Sequence, residues 1–306
     1  MVNEIHPEIP EVESLVKVTD CIKGMSKLPD ESVDVVVTSP PYNIGKDYNK
    51  YMDRRGQEEY LNWCIEWANQ IARVLKPDGS FFLNLGGSLV NPTIPHELLF
   101  SLLKKAQGGI SDGPFLLQNN IHWIKSITVI DDSGNELSKG HFKPINSTRF
   151  VNDCHEYIFH LTKTGNVKLD RLSIGVPYKH KSNISRWGGN GGADKRCRGN
   201  TWFLPYKTIK SRDKDRPHPA TFPPELPENC ILLHGNPEEC VVMDPFLGLG
   251  NSWIAATRCK VKKFIGFDLD SYYVKEAKKS IKDPYSIWSN DHLPTLNEAK
   301  SLVGKS

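Results

Sequence analysis

Residues 239–270 read ECVVMDPFLGLGNSWIAATRCKVKKFIGFDLD. A short apolar run, Cys240–Met243, stops at Asp244 and a glycine-rich loop. A helical pattern follows over 251–259, and a second apolar run ends at Gly266-Phe267-Asp268. Strand, glycine loop, helix and strand in this order form one half-turn of a parallel α/β sheet. Glycines at such a turn let a ligand approach the backbone and the N–H groups opening the helix. An acid about 20 residues beyond the loop stands where nucleotide-binding sheets place a carboxylate for ribose hydroxyls. Asp268 fills that position.

Outward from this unit the same rhythm continues. Strand-like runs lie at 14–20, 33–39, 79–86, 120–127 and 155–162, rich in Val, Ile and Phe. Residues 58–75 repeat apolar side chains at three- and four-residue spacing, with Pro77-Asp78-Gly79 as a stop signal. Further helices are expected at 224–233 and 271–281. The pattern predicts an α/β fold, a parallel sheet with helices on both faces.

The stretch 166–216 breaks the rhythm. Between Arg171 and Arg216 there are 12 Lys or Arg against three Asp, although the whole chain nets only +3. Tyr178, Trp187 and Trp202 lie among these cations. Charge alone suits a solvated loop, but cations mixed with aromatics and glycines suit phosphate and base contacts. The chain divides into 1–165, a basic insertion at 166–216, and 217–306, which completes the first half's domain.

Composition narrows the class. With 38% hydrophobic and 25% charged residues in 306, the chain is globular. No apolar run approaches the ~20 residues of a membrane span, and the first residues lack the basic-then-apolar pattern of a signal peptide. A cytoplasmic location is expected. The seven cysteines show no CxxC pair and no metal-ligand spacing with histidine, so reduced thiols and no metal are expected.

Two features point to chemistry. The glycine loop departs from a dinucleotide site, because Ile254 stands near the third glycine position and Asp244 precedes the loop. A carboxylate there can face an amino group such as a methionine moiety offers, which points to S-adenosylmethionine. The second feature is Thr38-Ser39-Pro40-Pro41-Tyr42, set directly after the strand VDVVV. Taken alone, those letters also describe a proline turn capping a strand. Ligands of open parallel sheets bind beyond the carboxyl ends of the strands, so this loop and the glycine loop should share one crevice.

TSPPY at 38–42, DPFLGLGNS at 244–252 and FIGFDLD at 264–270 together resemble the motifs of DNA amino-methyltransferases. VTDCIKGMSKLPDESVDVVVTSPPY and HPATFPPELPENCI are similar to that family's flanking segments, over roughly 14–285 in all. The catalytic loop precedes the cofactor loop, the permuted order of the family's β group. The resemblance implies a Rossmann-like S-adenosylmethionine-dependent methyltransferase sheet with a target-recognition insertion. It assigns Ser39, Pro40, Pro41 and Tyr42 to catalysis. Asp20, Cys21, Asp244, Pro245, Phe246, Gly248, Gly250, Asn251, Ser252 and Asp268 would bind the cofactor, Asp20 near the adenine amine, although an Asx turn also accounts for it.

The chemistry expected of the tetrad is specific. An exocyclic base amine has its lone pair delocalised into the ring. Ser39 and the Pro40 carbonyl would accept its N–H bonds most strongly as positive charge builds on nitrogen. Tyr42 would stack on a base flipped out of the duplex. Lys195, Arg196 and Arg198 are expected at DNA phosphates, and Lys46 and Asn43 at DNA or within their own loop. Glu156 resembles a residue beside the base pocket, yet fits a strand edge; His218 suits a turn better than a base.

Ser at the first tetrad position is associated with cytosine N4 and Asp or Asn with adenine N6, so cytosine is favoured and adenine stays open. C5 methylation would need a nucleophilic cysteine, and none stands in a comparable loop. A DNA-binding module without catalysis, or an RNA methyltransferase, forms the other alternative. Double-stranded DNA is the expected partner; a cognate restriction endonuclease and a homodimer are compatible with the family.

Overall fold

The computed structural model describes residues 10–285 except 47, 90, 131–132, 141–146, 152, 187–191 and 205–220. His218 and Trp187 therefore lie outside the described residues. Ten strands are present among those described: β1 Glu13–Val18, β2 Val33–Thr38, β3 Leu75–Leu85, β4 Leu116–Ile124, β5 Ser126–Ile130, β6 Glu136–Gly140, β7 His155–Thr162, β8 Thr201–Phe203, β9 Val241–Asp244 and β10 Lys263–Asp268. Eight of them form one sheet in the order β1-β10-β9-β2-β3-β7-β4-β8, and β5 and β6 pair separately.

From β1 to β3 the sheet is parallel, as the alternation of elements requires. Beyond it the expectation of a parallel sheet is corrected: β7 runs antiparallel to both β3 and β4. A parallel neighbour needs a crossover on the return, whereas β7 follows β4 through the β5–β6 hairpin. Strand periodicity carries no information about direction.

The helices are α1 Cys21–Met25, α2 Gln57–Val74, α3 Ile94–Leu102, α4 Ser182–Arg186, α5 Glu225–His234, α6 Asn251–Arg258 and α7 Ser271–Ser280. Strand residues alternate between two cores. Val36, Phe81 and Leu83 join the α2 residues Tyr60, Cys64, Trp67 and Ile71 on one face. Val35, Val37 and Phe82 join Leu226 and Ile231 of α5, Trp253 of α6 and Val274 of α7 on the other. Burial at period two on the strands and at helical spacing on α2 fixes both faces.

Several boundaries differ from the sequence expectation. The strand expected at 120–127 divides between β4, which ends at Ile124, and β5, which begins at Ser126 in the separate two-stranded sheet. Pro77-Asp78-Gly79 does not separate helix from strand, because β3 already begins at Leu75 and the register against β2 shifts between Val33 and Val35. Turn residues here make a bulge in a strand. The basic segment is also partly structural: Thr201–Phe203 pairs with β4, Ile174 packs in the core, and Trp202 is 1% exposed. Trp202 thus holds the insertion to the sheet; its indole N–H donates to the Gly199 carbonyl at 3.1 Å.

β2 and β9 are neighbours. From β2 the chain leaves through α2 to β3 on one side, and from β9 through α6 to β10 on the other. A crevice opens at the carboxyl ends where connections diverge in this way.

Candidate functional site

A cleft of about 860 Å³, partly open to solvent, lies at that divergence. Ser39 and Pro41 from the loop after β2 line it, together with Pro245, Phe246, Leu247, Gly248, Leu249 and Asn251 after β9, and Asp268 at the end of β10. Asp20 and Cys21, after β1, complete the wall. Loops far apart in sequence converge because the parallel strands end at one edge.

Gly248 adopts φ +52, which lets the loop fold back on itself. Its N–H donates to Asp268 Oδ2 at 2.8 Å, and the Asp270 N–H donates to Oδ1 at 2.8 Å. These bonds fix the carboxylate at the cleft wall, while burial pushes its pKa above the ordinary value despite them. Asp20 both lines the cleft and caps α1, accepting from the Lys23 N–H at 3.0 Å. The Asx turn and the site position therefore coincide. Asn251 lines the wall with its amide anchored on the Phe222 carbonyl at 2.6 Å.

Three residues expected in the cofactor wall sit behind it instead. Asp244 is 1% exposed, and its oxygens accept from Thr38 Oγ1 at 2.6 Å, Ser252 Oγ at 2.6 Å and the Phe246 N–H at 3.0 Å. It is not among the residues lining the cleft, and it clamps β2, β9 and α6 together. Burial pushes its pKa up to about 6, against those three hydrogen bonds. Ser252 is spent on that clamp. Gly250, at φ +83, does not line the cleft, and a Cβ there would stand 2.7 Å from the Ala277 Cβ, so it sets the packing of α6 on α7.

The Ser-Pro-Pro-Tyr loop enters a second network. Ser39 Oγ lies 2.7 Å from the Tyr42 hydroxyl. That hydroxyl donates to Glu156 Oε2 at 3.0 Å, and Asn84 Nδ2 donates to both Tyr42 Oη and Glu156 Oε2 at 2.7 Å. Lys125 Nζ holds Glu156 Oε1 at 3.0 Å, with both side chains largely buried. The Pro41 carbonyl accepts from Tyr60 of α2 at 2.8 Å. Tyr42 itself is 8% exposed and does not line the cleft. Its hydroxyl is held by polar partners that a sequence pattern does not reveal.

Glu156 is thus brought to the tetrad from β7. Asn84 and Lys125 went unrecognised in the sequence; the one available signal is a polar Asn inside the apolar run FFLNL. Tyr48, Tyr51 and Trp63 also line the cleft unforeseen, and Trp63 meets Phe246 edge-on with centroids 5.7 Å apart.

Asn43 and Lys46 belong to the loop beyond the tetrad. The buried Asp53 carboxylate gathers the N–H groups of Asn43, Ile44 and Lys46 at 2.8, 3.2 and 2.9 Å. The Asn43 amide exchanges two hydrogen bonds with the Arg55 backbone. Asn43 accordingly shapes its own loop, at φ +58, a region Asn tolerates.

In the basic segment Lys195 and Arg196 are exposed, whereas Arg198 donates its Nε–H to the Ile174 carbonyl at 2.9 Å and is only half-exposed. Arg198 therefore braces the segment. Lys181 pairs with Asp194, and Val176 bridges to Arg196.

Fold, crevice and tetrad geometry define a class, and comparison with known proteins gives the family. A DNA methylase family model, of the N6/N4 type, matches residues 33–279. The chain belongs to this family and is a DNA amino-methyltransferase. It is 28% identical to Type II methyltransferase M.BglII of Bacillus subtilis over 94% of this chain and 73% of the relative. It is 26% identical to DNA adenine methyltransferase YhdJ of Escherichia coli K12 over 92% and 87%.

Solved structures share the fold. The cytosine-N4-specific PvuII DNA methyltransferase aligns with TM-score 0.60 at 21% identity, covering 94% of this chain and 97% of its own. A DNA modification methylase of Thermus thermophilus, complexed with S-adenosyl-L-methionine, aligns with TM-score 0.56 at 23% identity over 90% and 95%. Among the described residues no helix is long and apolar enough to cross a membrane.

Proposed function

We propose that the protein transfers a methyl group from S-adenosylmethionine to the exocyclic N4 of a flipped-out cytosine at a specific site in duplex DNA, as the modification enzyme of a restriction-modification system. The observation that carries this reading is the position of Ser39, which lines the same cleft as Gly248 and Asp268.

The donor set suits the cofactor. Asp268, with its carboxylate oriented by two backbone N–H groups, would accept from the ribose hydroxyls. Phe246 and Trp63 offer apolar faces for the adenine, and Asp20 offers an acceptor for its amine. When bound, the cofactor supplies an electrophilic methyl group on its sulfonium. The remaining chemistry belongs to the chain. Ser39 and the Pro40 carbonyl accept hydrogen bonds from the target amine, and these strengthen as charge develops on nitrogen. Tyr60 fixes the loop by holding the adjacent Pro41 carbonyl. Lys195, Arg196 and Lys46 would neutralise phosphates.

Membership of the N6/N4 family and the type II designation of relatives such as M.BglII support the restriction-modification setting. Ser39 supports cytosine, and the PvuII neighbour is cytosine-N4-specific. A second reading, adenine N6, draws support from the similarity to YhdJ over 92% of the chain. Incubation of the protein and labelled S-adenosylmethionine with duplex DNA of diverse sequence, followed by mass spectrometry of the nucleosides, separates the two. N4-methylcytosine is the expected product; N6-methyladenine would overturn the base assignment. RNA is offered in a parallel reaction; label in RNA alone, or in neither nucleic acid, would overturn the DNA reading.

A further inference from the structure

Hydrogen-bond direction at Ser39 decides whether it presents a lone pair or a proton to the base. A lone hydroxyl rotates freely and does both. In this protein its near partner is Tyr42 Oη at 2.7 Å, with Asn84 Nδ2 a more distant donor at 3.5 Å, and Tyr42 in turn reaches Glu156 Oε2 at 3.0 Å.

An ionised carboxylate only accepts. Glu156 therefore accepts a hydrogen bond from the Tyr42 hydroxyl, since a carboxylate is the stronger acceptor beside a neutral hydroxyl. The same carboxylate requires a donor from Asn84, so the Asn84 amide turns its NH₂ towards Glu156 and Tyr42. With its own proton committed, and Asn84 donating to its oxygen, Tyr42 accepts from Ser39. The Ser39 proton then points away from the cleft.

We infer that Glu156 is a positioning residue for catalysis: acting through Tyr42, it polarises the Ser39 hydroxyl so that its lone pairs face the target amine. Lys125, 3.0 Å from Oε1, holds the carboxylate in place and balances its charge in a largely buried setting. The relay from Ser39 through Tyr42 to Glu156 joins the loop after β2 to the start of β7 across the intervening β3, which contributes Asn84. This assignment rests on the acceptor role of Ser39 given above, and it extends that role to a residue that touches neither base nor cofactor cleft.

The test is a double-mutant cycle on the full-length protein, measuring kcat at saturating S-adenosylmethionine and DNA together with both KM values. Glu156→Gln and, independently, Tyr42→Phe are expected to lower kcat by about tenfold or more, with both KM values near wild type; Glu156→Gln also lowers the melting temperature, because it leaves Lys125 without its counter-charge. Placed on Ser39→Ala, neither change should lower kcat further, because residues acting through one group are not additive. Independent, multiplying losses would overturn the inference while leaving Ser39 in the mechanism. Unchanged kcat in Glu156→Gln and Tyr42→Phe would also overturn it. Near-normal kcat in Ser39→Ala alone would instead remove the acceptor reading on which it rests. If Glu156→Gln fails to fold, Tyr42→Phe, which keeps the ring, carries the cycle.

Discussion

The Thr38 hydroxyl donates to the buried Asp244 carboxylate at 2.6 Å, tying the last residue of β2 to the last residue of β9 across 206 positions of sequence. The catalytic loop begins one residue after Thr38 and the glycine loop one residue after Asp244. This hydrogen bond adds to the β2–β9 strand pairing in setting the spacing of the two loops that face each other across the cleft.

Replacing Thr38 by Val keeps the shape and removes the donor, leaving part of a buried carboxylate unsatisfied. Stability should fall by about 1–3 kcal/mol, read from urea unfolding, and S-adenosylmethionine affinity should weaken with it. Unchanged affinity would show that the loops hold their spacing without this bond.

The same carboxylate gives a pH signature. Burial raises its pKa to about 6 in the folded chain, against about 3.9 when unfolded. The folded state therefore binds more protons in that window. Its contribution to stability is present below pH ~4 and is lost as pH rises through ~6. Asp244→Asn, in which Ser252 can turn to accept from the amide, should remove that decline. Melting temperatures of both forms from pH 4 to 7 provide the check; parallel curves would refute it.

His160 should act in the opposite direction. It is fully buried, with Nε2 3.0 Å from Ser80 Oγ and Nδ1 3.0 Å from Asn119, and desolvation lowers its pKa to about 3. The unfolded chain takes up the proton first, so this contribution is present above about pH 6.5 and is lost as pH falls towards 3. His160→Gln should be less stable at neutral pH yet show a shallower acid decline, measured by chemical unfolding across that range.

The basic segment divides into brace and surface. Trp202→Ala should cost about 3–5 kcal/mol of stability, while Lys195→Gln with Arg196→Gln should leave the melting temperature unchanged. The paired change should weaken DNA binding and flatten its salt dependence by about one unit of slope per lost phosphate contact. A titration over several salt concentrations tests it, and an unaltered slope would remove both cations from the DNA surface.

Asp268→Ala should reduce S-adenosylmethionine affinity by at least about tenfold, in keeping with the loss of a charge-assisted hydrogen bond. Calorimetry measures this directly. Retained affinity would mean that the ribose is held elsewhere.

What the sequence by itself determined is local and periodic. The apolar alternation of VDVVVT and KFIGFD, the spacing of Tyr60, Cys64, Trp67 and Ile71, and the glycine loop before α6 specify strands, helices and their buried faces, since those depend on side chains a few positions apart. The motifs at 38–42, 244–252 and 264–270 likewise identify the family, because each is contiguous. Tertiary structure alone decided which way each side chain points at a loop and what it meets there. Asp244 turned inward to Thr38 and Ser252, Tyr42 turned to Glu156, Trp202 went to the core, and β7 reversed direction. All four outcomes depend on partners brought together by the sheet from distant parts of the chain. A buried polar group goes where its hydrogen bonds can be completed, and only the folded sheet determines where that is.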